Sequence, residues 1–129
     1  MARVRRFESD FPSAAMRIHH IGWSVDDLAA SIRLCENLGF DCVITLEMAD
    51  EVMAFMENGA ILIELIESSH KEPLHFCFAV EEIDQTSKSL GLSLIGGPYT
   101  IPQMGWVSYF FEARDGVSVE LLKPVTSLL

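Results

Sequence analysis

Positive charge is scarce in this chain. Nine Lys and Arg face nineteen Asp and Glu over 129 residues, a formal net charge of −10. Four of the nine (Arg3, Arg5, Arg6, Arg17) crowd the N-terminus, leaving Arg33, Lys71, Lys88, Arg114 and Lys123 for the rest. Such a surface repels phosphate backbones and excludes a nucleic-acid partner. Long apolar runs are also missing. None reaches the roughly 18 residues of a membrane span, and the basic start MARVRRFESDFPSAAM has no continuous apolar stretch of a signal peptide. Cysteine is sparse and odd in number: Cys35, Cys42 and Cys77 lie in apolar segments. A disulfide framework is therefore not expected, and reduced, mostly buried thiols in the cytoplasm are.

What the chain has in quantity is apolar side chains, half of all residues, with 22% charged. One compact domain follows, since 129 residues are too few for two ordinary ones. Residues 1–16 read as an N-terminal tail, with mixed charge and Pro12. A single domain is expected over 17–124, with one module at 17–67 and a second at 74–124.

The first module reads β-α-β-β-β. Ile18–Val25 is strand-like, and Asp26-Asp27 can cap a helix whose buried face is Leu28, Ile32, Cys35 and Leu38, ended by Gly39. Strands are expected near Cys42–Glu47 and Val52–Glu57, and Asn58-Gly59 signals a two-residue hairpin into Ala60–Glu67. The second module repeats the order. His75–Val80 opens it, a helix runs from Glu82 to about Leu90, and Gly91 follows. Ser93–Ile95 leads into a Gly96-Gly97-Pro98 turn, and a compact loop runs from Gly96 to Gly105. A strand lies near Trp106–Glu112, Asp115-Gly116 turns, and Val117–Lys123 closes. His20 and His75 stand 55 residues apart, and each has a Glu 44 or 45 residues further on, Glu64 and Glu120. Internal repetition makes these residues structurally equivalent pairs.

Strand alternation sorts the neighbours of each. His20 shares a face with Ile18, Gly22 and Ser24; His75 with Cys77 and Ala79; Glu120 with Ser118 and Leu122. Small side chains beside three of the four leave room for a cavity. Glu64 shares its face with the larger Leu62 and Ile66. A carboxylate on an apolar strand is costly unless paired, protonated or bound to a metal. Neither strand core carries Lys or Arg. Two imidazoles and two carboxylates suit one divalent ion, Zn, Ni, Co, Mn or Fe, without choosing among them. A lone strand His is more often an ordinary core or edge residue. His19, alternating away from His20, is read that way, and His70 is placed in a polar loop.

The strings IHHIGWSVDDL, NGAILIELIE, LHFCFAVEEID and DGVSVELLKP, in this order and spacing, resemble the vicinal oxygen chelate superfamily. That group includes glyoxalase I, methylmalonyl-CoA epimerase, extradiol dioxygenases, fosfomycin-resistance enzymes and bleomycin-binding proteins. The resemblance implies an α+β, glyoxalase-like fold of two βαβββ modules forming a cupped mixed sheet around a metal. Transferred residue by residue, it gives His20, Glu64, His75 and Glu120 as metal ligands. It implies a metal-dependent isomerase, epimerase or lyase working on a small-molecule substrate by proton transfer beside a carbonyl, through a metal-stabilised enediolate. Glu120 or Glu64 would serve as acid and base, or an epimerase-type base from the middle strands, Glu47 or Glu51. Homodimerisation is a further expectation of the resemblance. Scarce basic residues suit neither a CoA thioester nor a glutathione adduct. The alternative function, suggested by the acidity and by Trp23, Trp106 and Tyr109, is metal-free sequestration of a cationic drug.

Overall fold

A computed structural model describes residues 16–113 and 116–124. Its elements in chain order are β1 (Met16–Ser24), α1 (Leu28–Asn37), β2 (Asp41–Met48), β3 (Glu51–Glu57), β4 (Leu62–Ser68), β5 (His75–Val80), α2 (Ile83–Ser89), β6 (Ser93–Ile101), β7 (Trp106–Glu112) and β8 (Ser118–Pro124). This is the α+β arrangement of two βαβββ modules. Of the expected tail, residues 1–15 lie outside the described residues and Met16 already opens β1. Asp115 of the expected Asp115-Gly116 turn also lies outside them. Neither described helix is long and apolar enough to cross a membrane.

The eight strands form one sheet in the order β2-β3-β4-β1-β5-β8-β7-β6. The order is a mirror of itself about the β1–β5 junction. Within each module the first and last strands run parallel, β1 with β4 and β5 with β8, while β1 and β5 meet antiparallel. The sheet curls. Leu46, Met53, Phe55, Ile66, Cys77, Ala79, Met104, Trp106 and Leu122 pack together in one cluster. A second cluster lies against α1 (Cys35, Ala54, Met56, Leu65), and a third against α2 (Val80, Phe111, Leu121). Alternation along β3 and β4 sends neighbouring residues to different clusters, as in Phe55 against Met56 and Leu65 against Ile66.

Helix α1 forms where the apolar spacing and cap expect it. Asp27 accepts a hydrogen bond from the Ala30 N–H at 3.0 Å, and Glu67 of β4 accepts one from the Leu28 N–H at 2.9 Å. Two orphan donors of the first turn are thus satisfied, one of them by the sheet the helix packs on. Leu28, Ile32 and Cys35 face inward, but Leu38 is 68% exposed. The helix stops at Asn37, Leu38 becomes its C-cap, and Phe40 takes the packing position instead.

Three local expectations give way for identifiable reasons. The Asn58-Gly59 hairpin is a four-residue loop closed by the pair Glu57↔Leu62. The Asn58 side chain, accepting from the N–H groups of Ala60 and Ile61 at 3.0 and 2.8 Å, holds it as an Asx turn. Gly96-Gly97-Pro98 does not turn the chain. β6 runs through to Ile101 with register shifts at Gly96. As an edge strand it tolerates a proline that cannot donate to a ladder, and the compact loop shrinks to the residues between Ile101 and Trp106. Finally, β1 carries an irregularity between Ile18 and His20. Ile18 opposes Phe78 and His20 opposes Cys77, leaving His19 as the extra residue of a bulge. Ile18 therefore leaves the face of His20 and stands 56% exposed.

Candidate metal centre

The four central strands each supply one ionisable side chain, Glu64 from β4, His20 from β1, His75 from β5 and Glu120 from β8. Register arranges them on two rungs of the sheet. On one rung Glu64, Gly22 and His75 lie side by side; on the other, His20, Cys77 and Glu120. Each rung takes one ligand from each module, and the strand between carries a small residue over which the two reach. Gly22 and Cys77 are equivalent positions, each two residues beyond the His of its module. Adjacent strands are about 4.8 Å apart, so ligands two strands apart meet only because the middle side chain is small or absent.

All four side chains are buried. His20 Nε2 lies 3.4 Å from Glu64 Oε1 and 3.1 Å from Glu120 Oε1; His75 Nε2 lies 3.5 and 3.2 Å from the same two oxygens. One ligand atom from each residue falls within 4.8 Å of every other. These contacts are close but poorly aligned as hydrogen bonds. Among the described residues, His20 Nε2, His75 Nε2 and Glu120 Oε1 are buried without a hydrogen-bond partner. Buried polar atoms are normally satisfied, and atoms that crowd together without bonding one another suit a shared third partner. Nitrogen and oxygen ligands about 2.0–2.2 Å from one ion stand roughly 3.0–3.5 Å apart at tetrahedral or octahedral angles. The residues fit a divalent metal.

The four groups also shift one another electrostatically. Burial alone would pull the two imidazoles toward neutrality, but the carboxylates of Glu120 and Glu64 outweigh it. The His20 pKa moves up, and that of His75 rises to about 9. Burial would likewise push the two carboxyls up, yet the imidazoles hold both Glu120 and Glu64 below the usual carboxylate range. The Cys77 thiol is driven strongly upward by burial and by the Glu120 charge, so it is an inert neighbour.

The supports of the two histidines differ. His75 lies across the backbone of Gly22, where an added Cβ would overlap its ring, and packs edge-on against Phe110 at 5.0 Å between centroids. His20 stacks on Trp106, and its Nδ1 is 2.8 Å from Nδ1 of His19. His19 was expected to face away. The bulge turns it to the same side, where it meets Trp106 edge-on at 4.9 Å. Burial and the neighbouring His20 lower its pKa to about 4, so it is a neutral imidazole near pH 7. The doublet His19-His20 was visible in the sequence, but strict alternation hid its geometry. His70 lies exposed beyond β4, as expected of a loop residue.

Above the tetrad opens a cleft of about 610 Å³, lined by Glu64, His75 and Glu120 among others. Met48, Met53 and Ile66 line it from the first module and Ile95, Tyr99 and Phe110 from the second. Three further acids, Glu51, Glu72 and Glu112, line it as well, and no Lys or Arg does so among the described residues. Glu51 has its pKa raised, first by burial and then by the charges of Glu64, Glu72 and Asp50. Glu47 does not line the cleft; it lies in an adjoining, more open depression beside the β2–β3 turn, which Met48 and Glu51 also border.

No protein-family model matches the chain, and no curated protein is significantly similar to it in sequence. Solved structures are similar in fold. Methylmalonyl-CoA epimerase from Mycobacterium tuberculosis superposes with a TM-score of 0.68 at 20% identity, over 86% of this chain and 89% of that one. The Mn(II)-bound glyoxalase from Novosphingobium aromaticivorans gives 0.62 at 17% identity, over 87% of this chain and 40% of that one. A glyoxalase/bleomycin resistance protein/dioxygenase superfamily member from Vibrio splendidus gives 0.58 at 15% identity, covering 84% and 98%. The chain has the fold of the vicinal oxygen chelate superfamily, as its sequence motifs imply.

Proposed function

We propose that this protein is a divalent-metal-dependent enzyme of the isomerase, epimerase or lyase type, moving a proton at a carbon beside a carbonyl. The observation that carries the reading is the set of three buried, unpartnered atoms, from β1, β5 and β8, that converge with Glu64 of β4 beneath a cleft. His20, Glu64, His75 and Glu120 would hold the ion. When bound, it supplies Lewis-acid polarisation of substrate oxygen, which acidifies the neighbouring C–H bond.

The remaining work falls to side chains of this chain. The cleft walls bury the apolar part of a small substrate and exclude water from its reacting carbon. Glu51 is the favoured base of the two middle-strand candidates. It shares the cleft with Glu64 and His75, and burial with the neighbouring acids raises its pKa, the direction that makes a carboxylate a stronger base. Glu47 opens elsewhere. Glu64 and Glu120 are the other candidate bases, since both line the same cleft.

Metal analysis after equilibration with Mn, Co, Ni, Zn and Fe(II) in turn tests the reading. One ion per chain is expected with at least one of them, lost in Glu64→Gln and His75→Ala. Metal-dependent deuterium exchange beside the carbonyl of small α-oxygenated substrates would then identify the reaction class. Purified protein that takes up no stoichiometric ion overturns the proposal.

One observation favours the second reading, metal-free binding of a cationic drug: Glu51, Glu72 and Glu112 line the cleft, with aromatic Tyr99 and Phe110 beside them. Calorimetric binding of a bleomycin-like cation in excess chelator, undiminished in His75→Ala, would replace the metal proposal with this one.

A further inference from the structure

We infer that His19 is a positioning residue for the metal centre, holding His20 in the tautomer and orientation in which Nε2 is free to ligate. The inference rests on the metal reading above and extends it to a residue outside the ligand set.

Three observations carry it. First, the short contact is at the right atom. The Nε2 of His20 points toward Glu64 and Glu120, and the opposite ring nitrogen, Nδ1, sits 2.8 Å from Nδ1 of His19. A neutral imidazole that ligates through Nε2 carries its proton on Nδ1, so His20 donates and His19 accepts. His19 then keeps its own proton on Nε2. Partners that receive the second N–H of a ligating histidine fix its ring and raise its basicity, and their loss costs roughly 10–100-fold in metal affinity.

Second, the backbone spends an irregularity on this contact. In a regular strand His19 and His20 would project from opposite faces. The bulge between Ile18 and His20 brings consecutive side chains together, and bulges are used in this way to re-aim a side chain.

Third, the accepting ring is itself fixed. His19 meets Trp106 edge to face at 4.9 Å, and Trp106 is buried and also stacks on His20 and packs on Phe55. One tryptophan thus orients both imidazoles. His75 has a different support, the bare backbone of Gly22 and the ring of Phe110.

The test compares His19→Phe, which keeps a ring against Trp106 but removes the acceptor, with His19→Asn, whose amide oxygen can stand near Nδ1. Co(II) affinity is measured by chelator competition on the full chain, together with the Co(II) absorption spectrum and the melting temperature of chelator-treated protein. The expected result is a 10–100-fold weaker affinity and a changed spectrum in His19→Phe, substantially recovered in His19→Asn. Melting of the two metal-free variants should be alike. Nitrogen-15 NMR of the Zn-loaded wild-type protein, which needs no variant to fold, should show the His20 proton on Nδ1 and an unprotonated Nδ1 on His19. Wild-type uptake of Co(II) with unchanged affinity in His19→Phe, or the opposite tautomers in the Zn form, overturns the inference alone. If the wild-type chain holds Mn, Ni or Fe(II) instead, the affinity comparison is made with that ion; failure to hold any of the five overturns the metal reading and this inference with it.

Discussion

The imidazole of His75 rests on Gly22, a residue of the neighbouring strand that pairs with it directly in the sheet. On the other side of the same glycine lies Glu64. The two ligands of this rung therefore meet across a position that has no side chain. Gly22 is needed here for clearance, because the Cβ of any other residue would occupy the space of the ring.

Gly22→Ala should displace His75 and weaken metal binding by at least tenfold, in line with what mispositioned ligands cost. Overpacking should also lower stability by about 1–3 kcal/mol. Metal titration and thermal melting of the same preparation read both effects; unchanged affinity would show that His75 can ligate from a shifted position.

Glu51→Gln should lower turnover by about 10²–10⁴-fold while metal content stays at wild-type level, as expected for loss of a proton-transfer group. Glu47→Gln, outside the cleft lining, should change little. Parallel kinetics and metal analysis of the two variants decide between the middle-strand carboxylates, and equal losses in both would discard the assignment.

The tetrad also predicts a pH profile for chelator-treated protein. His75 has a folded pKa of about 9 against an ordinary 6.5. A raised pKa gives stability that is fully present below 6.5 and lost as pH climbs through 9. Glu120 is shifted the other way, so its contribution is present above an ordinary 4.5 and lost as pH falls below it. His19, lowered to about 4, contributes stability that is present above 6.5 and lost as pH falls below it, so metal-free protein should melt highest near pH 6.5. Metal uptake should instead strengthen as pH rises, because the ion competes with protons for both imidazoles. Melting curves and metal titrations across pH 4–10 check the two opposed trends.

Phe55 is fully buried and packs on both His20 and Trp106. Phe55→Ala should destabilise the fold by about 3–5 kcal/mol, measured by urea unfolding. Because the cavity would open beneath His20, metal affinity should fall as well.

The tetrad was legible in the sequence because duplication supplies its own control. One His and one Glu on apolar strands say little, but the same pair at matching positions in two modules singles out four residues. The limits of β5 and β7 were legible too, since His75–Val80 and Trp106–Glu112 are apolar runs bounded by turn residues. His19 was not, because alternation assumes an unbroken ladder and a bulge depends on what the partner strand does. Nor was β6, where Gly96-Gly97-Pro98 has the local chemistry of a turn and only its place at the sheet edge lets it continue as strand. Leu38 followed the helical period, yet the helix ends just before the period would have buried it. His19 and β6 depend on neighbours distant in the chain, whereas Leu38 turns on the local stop at Gly39.

The two-rung arrangement makes the ion a topological tie. Its ligands come from residues 20, 64, 75 and 120, so coordination would close loops spanning most of the chain, where a cross-link restricts the unfolded ensemble most. Metal occupancy should therefore add to the stability of the folded chain. Each tenfold excess of free metal over its dissociation constant would add about 1.4 kcal/mol to unfolding, and amide exchange along the β1–β5 junction should slow in step.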